Sequence, residues 1–540
     1  MITLARTLRH TLLFFLGIGY VSVWAQGQVG QEEVTVVRAA DGNLQDANRI
    51  SFPPVVPEFT TTIPVLQYAV PKKDFRFDFF EPQPVKPLAL AKEKAEKFLN
   101  SYIKLGFGSQ LTPLAQFAYH NTQFSRVQFG LLYDHLSMYG FAIRNQRFSD
   151  DAIKAYVRYF PRAVELGAHF RFHNLRTHFY GFPDSIQEAV RLRQVFRDYE
   201  GSVWLQDALP IRGDWRFRQE LTFHYTTEQT ARVKEWFIRS QTDLNKTIRK
   251  HHHITAHLFA DISSYKGDTI AVLQRNLFRV GVGYLFNNDD WRIQAGFSAG
   301  IDGKKFVPLP DISVEKQVYQ RYIIPYGGFR MTLQKNAFRS LAIDNPFLHS
   351  RQPLLNTVFL TPYVGIKGNI ERFSYNVGFQ YNRITNRPFF INDSLDMRRF
   401  RVVYDTINQY RIHGDVAIDL TNGLRFGLQA EYNLFGMKVL SFPWHTPAFR
   451  LQFSARYNWK EKIIAGLELT GITGSRAPLA GGQIKELKGT ADLSVSLEYV
   501  FKRYLSFFGN LNNIAHQKYE RYYGYPSFGI NGLAGARFSF

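Results

Sequence analysis

The chain has 540 residues, a formal net charge of +21, no cysteine and 16% aromatic residues, with Phe 49 and Tyr 29. The missing cysteine excludes structural disulfides, thiolate metal sites, cysteine nucleophiles and a lipidated mature N-terminus. The mean hydropathy of −0.24 excludes a helical membrane bundle, which needs apolar runs of about 18 residues or more. The basic residues are scattered and accompany no recognition motif, so a nucleic-acid partner is not expected.

In chain order, Arg6 and Arg9 precede the apolar stretch Leu12–Gly19, and Val23, Trp24 and Ala25 come after it. A charged start, a short apolar core and a small residue read as an export signal spanning 1–25, cleaved after Ala25. Residues 26–97 differ in kind. Glu33, Val34, Thr35, Val36 and Val37 form a short β-like run, and Pro53, Pro54, Pro57, Pro64, Pro71, Pro82, Pro84 and Pro87 succeed it. Prolines at that spacing forbid helix and central strand. The segment reads as an extended tether, threaded into the lumen of the downstream domain or left as a disordered arm in the periplasm.

From about residue 98 to Phe540 the pattern changes to period two. Phe449, Leu451, Phe453, Ala455, Tyr457 and Trp459 alternate with Arg450, Gln452, Ser454, Arg456 and Asn458. The stretches 424–434, 373–381 and 491–499 repeat the pattern. Alternation places one face on an apolar phase and the other on water. Runs of about ten residues match a tilted strand crossing a bilayer better than the shorter strands of a soluble sandwich. About 22 such segments are readable, falling to 18 or 20 if poorly alternating stretches such as 236–248 are loop. The fold class is therefore all-β: a transmembrane antiparallel barrel over residues 98–540, in a bacterial outer membrane. The connection 335–356 reads as a partly helical loop outside the wall. Short turns at 421–423, 460–462 and 502–503 alternate with long connections at 392–399, 436–447, 474–489 and 518–527. That assigns the long loops to the cell exterior and brings the last strand down to the periplasm.

Candidate chemistry is sparse. His251, His253 and His257 would share one strand face, but no carboxylate or thiolate completes a metal set, so a polar turn or lumen patch outweighs a metal site. Asn288, Asp289 and Asp290 fit a turn. His413, Asp415 and Asp419 share an inward face as a lumen wall does. No nucleophile elbow, phosphate loop or zinc-protease motif occurs, so neither enzyme nor cofactor is expected. Arg425, Arg450, Arg456 and Arg537 point to an anion-favouring lumen.

The chain ends Phe528-Gly-Ile-Asn-Gly-Leu-Ala-Gly-Ala-Arg-Phe-Ser-Phe540. Gly535, Phe538 and Phe540 resemble the C-terminal signal read by the barrel assembly machinery. Residues 511–520, then Tyr525 and Pro526, together with a strand number near 22, resemble the barrel of TonB-dependent outer-membrane receptors, in a shortened Bacteroidota-type form. Glu33, Val34, Thr35, Val36 and Val37 are similar to that family's TonB box. The resemblance implies a Gram-negative outer-membrane transporter of a bulky nutrient, with outer-membrane lipid, TonB and a surface or plug protein as partners. It also implies a folded plug far longer than residues 38–97 provide. The plug is then reduced or supplied in trans. The alternative is a non-conducting structural or assembly subunit of an outer-membrane complex.

Overall fold

The computed structural model describes residues 100–121, 126–181, 193–207, 215–230, 232–267, 270–349, 352–421 and 423–540. The export signal, the Pro-rich segment and the Glu33–Val37 run lie outside the described residues.

The wall opens with β1 (Tyr102–Gly108), β2 (Thr112–Asn121), β3 (Val127–Tyr139), β4 (Arg147–Tyr159) and β5 (Val164–His178). β6 (Arg193–Asp207), β7 (Trp215–Glu228), β8 (Val233–Arg249) and β9 (His252–Gly267) continue it. β10 (Ile270–Gln274) and β11 (Leu277–Asn287) both pair with β9, over 264–267 and 252–261, so the single strand expected at 270–287 is one stave with a break. Then come β12 (Trp291–Asp302), β13 (Lys305–Lys316), β14 (Ile324–Gln334), the helix α1 (Phe338–Asp344), β15 (Thr357–Ile370) and β16 (Phe373–Asn392). β17 (Phe400–Thr421), β18 (Leu424–Gly436), β19 (Phe449–Trp459) and β20 (Ile463–Ile472) are next. A small hairpin, β21 (Ser475–Pro478) with β22 (Ile484–Leu487), precedes β23 (Thr490–Lys502) and β24 (Leu505–Asn512). A second, β25 (Glu520–Tyr522) with β26 (Tyr525–Pro526), precedes β27 (Asn531–Ser539).

Every stave pairs antiparallel with its sequence neighbour. β27 pairs with β1 from Tyr102↔Ser539 to Gly108↔Leu533, closing a barrel of 22 staves. Closure removes the edge strands whose unpaired amides a bilayer cannot satisfy. At its last rung Phe540 N donates to Ser101 O (2.8 Å) and Ser101 N to Phe540 O (3.2 Å).

The alternation resolves into two faces. Leu105, Phe107, Phe170, Leu221, Phe223 and Val282 are between 46% and 60% exposed, all on the outside. That apolar exterior fits lipid and would be a liability in water. No helix among the described residues is long and apolar enough to cross a membrane. The long connections 335–356, 393–399, 437–448, 473–489 and 513–530 share one rim, together with the short turns 109–111 and 303–304, while the turns 371–372, 460–462 and 503–504 lie at the other. Lys460 and Glu461, at φ 50° and 58°, form a two-residue turn of the left-handed kind that hairpins favour.

The poorly alternating stretch 236–248 is part of β8, a full wall strand of 17 residues. Its outward face carries Ser240 and Thr242 where apolar residues are expected. Both are satisfied across the strand pair: Gln219 Nε2 of β7 donates to Ser240 Oγ (3.0 Å), and Thr242 Oγ1 donates to Gln219 Oε1. A mutually bonded polar cluster tolerates an apolar exterior that a lone hydroxyl would not.

Candidate functional site

Inside the wall, polar residues answer one another across strands. Glu165, 3% exposed, accepts from Arg158 Nε (2.8 Å) and Nη2 (2.9 Å), from Trp204 Nε1 (2.9 Å) and from Gln206 Nε2 (2.8 Å). His173 lies 2.7 Å from Asp150 and 3.2 Å from Asp198, and Thr226 Oγ1 donates to Asp198 (2.6 Å). Arg411 pairs with Glu431 at 2.7 Å. Buried charges survive only where partners are this close. The four arginines expected in the lumen all face it: Arg425 pairs with Asp419 (3.5 Å), Arg537 lies over the Tyr102 ring (4.3 Å), and Arg450 and Arg456 share the inward register of β19.

The connection 335–356 corrects the expectation that it lies outside the wall. It folds inward. Phe338 and Leu348 are 0% exposed, and Leu341 and Ala342 are 2%. They join one apolar core with Phe196 of β6, Val233 of β8, Tyr265 of β9, Phe400 and Val402 of β17, and Tyr522 and Tyr525 of the last long loop. β6 and β17 lie on opposite sides of the ring of staves. The core therefore bridges the lumen from wall to wall at the long-loop end, and the segment acts as a lid.

Polar contacts pin the lid. Glu235 of β8 accepts from Phe338 N (3.0 Å) and Arg339 N (2.9 Å), the first amides of α1, which helices leave unsatisfied. Arg339 pairs with Asp198. Lys335 Nζ donates to Asp261, to Ser263 Oγ (2.6 Å) and to Arg275 O (2.9 Å). Burial lowers the pKa of Lys335, and the Asp261 carboxylate works against that shift. Gln352 anchors the far end: it donates to Phe400 O (3.0 Å) and accepts from Val402 N (2.6 Å). Phe347 stacks on Tyr525 at 3.6 Å between centroids, and Tyr522 OH donates to Asp344 O (2.8 Å).

The other candidates resolve as structure. His251 Nδ1 meets Asn287 O (2.9 Å) at a turn, His252 meets Tyr284 OH (2.6 Å), and His253 meets Thr247 Oγ1 (3.0 Å). His257 faces the lumen beside Gly281. Among the described residues no group of three or more histidines and carboxylates is placed to hold a metal ion. Asn288 Oδ1 accepts from Asp290 N (3.1 Å) and Trp291 N (2.6 Å), which makes that run a turn. Asp415 accepts from Asn376 (3.4 Å), away from the Asp419–Arg425 pair. Phe538 and Phe540 face outward with ring centroids 6.0 Å apart, 45% and 44% exposed, while Gly535 packs against the β1 backbone.

The lid was the part that sequence reasoning missed. Its signal was present: Phe338, Leu341, Phe347, Leu348 and Leu354 are too many large apolar side chains for a loop in water.

A closed 22-stave wall with long loops at one rim and an inward lid invites comparison with solved barrels. The FrpB iron transporter of Neisseria meningitidis superposes with a TM-score of 0.66 over 82% of this chain and 81% of its own, at 10% identity. This is the fold of an outer-membrane receptor barrel. The ferric-catecholate import receptor Fiu of E. coli K12 matches at 0.64, with 11% identity over 82% of each chain. The siderophore receptor PirA of Acinetobacter baumannii matches at 0.63, with 9% identity over 82% of this chain and 80% of its own. No family model matches the chain, and no curated protein matches it by sequence.

Proposed function

We propose that the protein is an outer-membrane transporter of the TonB-dependent receptor type that moves a bulky nutrient and whose outer mouth is shut by the 335–356 lid. The observation that carries this is the apolar core joining opposite walls, which closes a polar lumen wide enough to leak. Iron transport and ferric-catecholate import by barrels of the same fold support an uptake role. In this reading residues 1–25 are the export signal, cleaved after Ala25. Residues 26–97 are a reduced plug or tether, Glu33–Val37 engages TonB, and Gly535, Phe538 and Phe540 address the chain to the assembly machinery. The second reading, a non-conducting subunit of a larger complex, draws on the same lid, because a permanent core needs no opening.

Single-channel conductance tests whether the lid shuts the lumen. The mature chain, a chain starting at Lys92, and a chain with 337–354 replaced by a short Gly/Ser linker are compared. The first two are expected to stay closed and the third to open in wide steps. If the linker chain also stays closed, the lumen is sealed elsewhere and the lid is not what shuts the outer mouth. If the Lys92 chain opens, residues 26–91 close the pore and the lid does not.

A further inference from the structure

On β4 to β9 the outward face does not end in apolar residues. Tyr159 to Arg147, Val164 to Arg176, Leu205 to Arg193 and Ile254 to Lys266 are each twelve positions apart along one strand, and Ile248 to Lys234 fourteen. The first residue of each pair lies at the lower end of the lipid-facing run, and the second is a cation toward the long-loop rim. A tilted strand needs about 9–11 residues to cross the hydrocarbon, so each cation stands just past it. Below the cations, by four, six and two positions along β5, β6 and β8, lie Phe172, Tyr199 and Trp236, which with Tyr225 of β7 are successive cross-strand neighbours, with 5.1 Å between the first two rings. An aromatic row of this kind marks the interface with lipid headgroups.

Arg176, Arg193, Lys234 and Lys266 are exposed; Arg147 lies over the Tyr139 ring (5.4 Å), and Arg197 shares the outward register. Among the described residues of this arc and level, Asp151 is the one outward carboxylate. It accepts from Asn174 (3.1 Å) and lies 2.6 Å from His135 and 3.4 Å from Arg176. Across the barrel the same twelve-residue step on β16, β17 and β18 lands on Thr385, Asn408 and Gly436, with Arg383 the outward cation nearby. The charge is thus concentrated on one arc.

We propose that this arc binds the phosphate groups of a phosphorylated glycolipid of the lipid A class in the outer leaflet. Lys and Arg at an anionic lipid surface add attraction residue by residue, and an Arg guanidinium can grip two phosphate oxygens at once. The proposal rests on the outer-membrane placement above. Position and charge select the occupant: the cations stand at headgroup height, on the outside, with little acid to neutralise them.

The test uses the mature chain in phosphatidylcholine nanodiscs containing bisphosphorylated lipid A, dephosphorylated lipid A or neither, with retained lipid read by native mass spectrometry. Bisphosphorylated lipid A is expected to be retained and the dephosphorylated form to be lost. Arg176→Gln, Arg193→Gln, Lys234→Gln and Lys266→Gln together are expected to weaken retention at least tenfold. Arg383→Gln is expected to leave it unchanged, and excess inorganic phosphate to displace nothing. Equal retention of the dephosphorylated form, wild-type retention by the quadruple variant, or competition by inorganic phosphate overturns the proposal. If the quadruple variant does not fold, Arg176→Gln with Lys266→Gln makes the same comparison. Failure of the wild-type chain to enter nanodiscs at all would instead overturn the membrane placement.

Discussion

His445 shows how one residue sets a condition on the loops. It sits in the connection after β18 and is 7% exposed. Its Nδ1–H donates to Phe390 O (2.8 Å), and Nε2 accepts from Tyr523 N (3.2 Å), so the ring is neutral and both nitrogens are used. Burial pushes its pKa down to about 4. The unfolded ring binds a proton more readily than the folded one. The stability it contributes is therefore whole above about pH 6.5, and is lost as the pH falls through about 4, on the order of 3 kcal/mol in all. Amide exchange across 437–448 and 520–526, corrected for intrinsic rates, is expected to quicken over that window. His445→Gln is expected to flatten the response; an unchanged pH profile in the variant would remove His445 as its origin.

At the scale of the element, the seam between β27 and β1 depends on a glycine. A Cβ on Gly535 would stand 2.0 Å from Leu105 O and 2.6 Å from Gly106 Cα, both backbone atoms that cannot yield without opening the ladder. Gly509 on the neighbouring β24 has nothing within 4 Å of the same position. Gly535→Ala is expected to cost at least the ~1–3 kcal/mol of an overpacked site, and Gly509→Ala to be neutral. The fraction of chain migrating as the compact, heat-modifiable barrel on a gel reads both. Equal fractions would show that the seam has slack. The helix α1 makes a different point. A seven-residue helix is too short to hold itself together in water, so α1 depends on its core contacts and on Glu235.

For the whole molecule, the net charge of +21 bears on permeation. Arg425, beside Asp419, and Arg450, Arg456 and Arg537 all face the lumen. Once the lid is replaced by a linker, the pore is expected to prefer anions, measured as a reversal potential across a salt gradient. Changing the four arginines to Gln is expected to reduce that preference, because fixed charge in a low-dielectric wall focuses the field along the channel. A cation preference in the lid-free pore would show that the acids of the lumen outweigh its arginines.

The sequence by itself determined the wall. Period two requires only that neighbouring residues see opposite phases, so β13 reads directly as 305–316 and β19 as far as Trp459. The stave number and the inward register of the luminal arginines come from the same local rule. Where the rule was locally broken, at Ser240 and Thr242, the reason lay on another strand, in Gln219. Only the tertiary structure decided where the segment 335–356 packs. Phe338, Phe400 and Tyr525 lie far apart in the chain and have no shared period, and a contact across a barrel leaves no local trace. The cationic arc is of the same kind. Each Arg or Lys reads as an ordinary strand end, and only the closed ring brings the charges of β4, β5, β6, β8 and β9 together on one arc, with Thr227 of β7 among them.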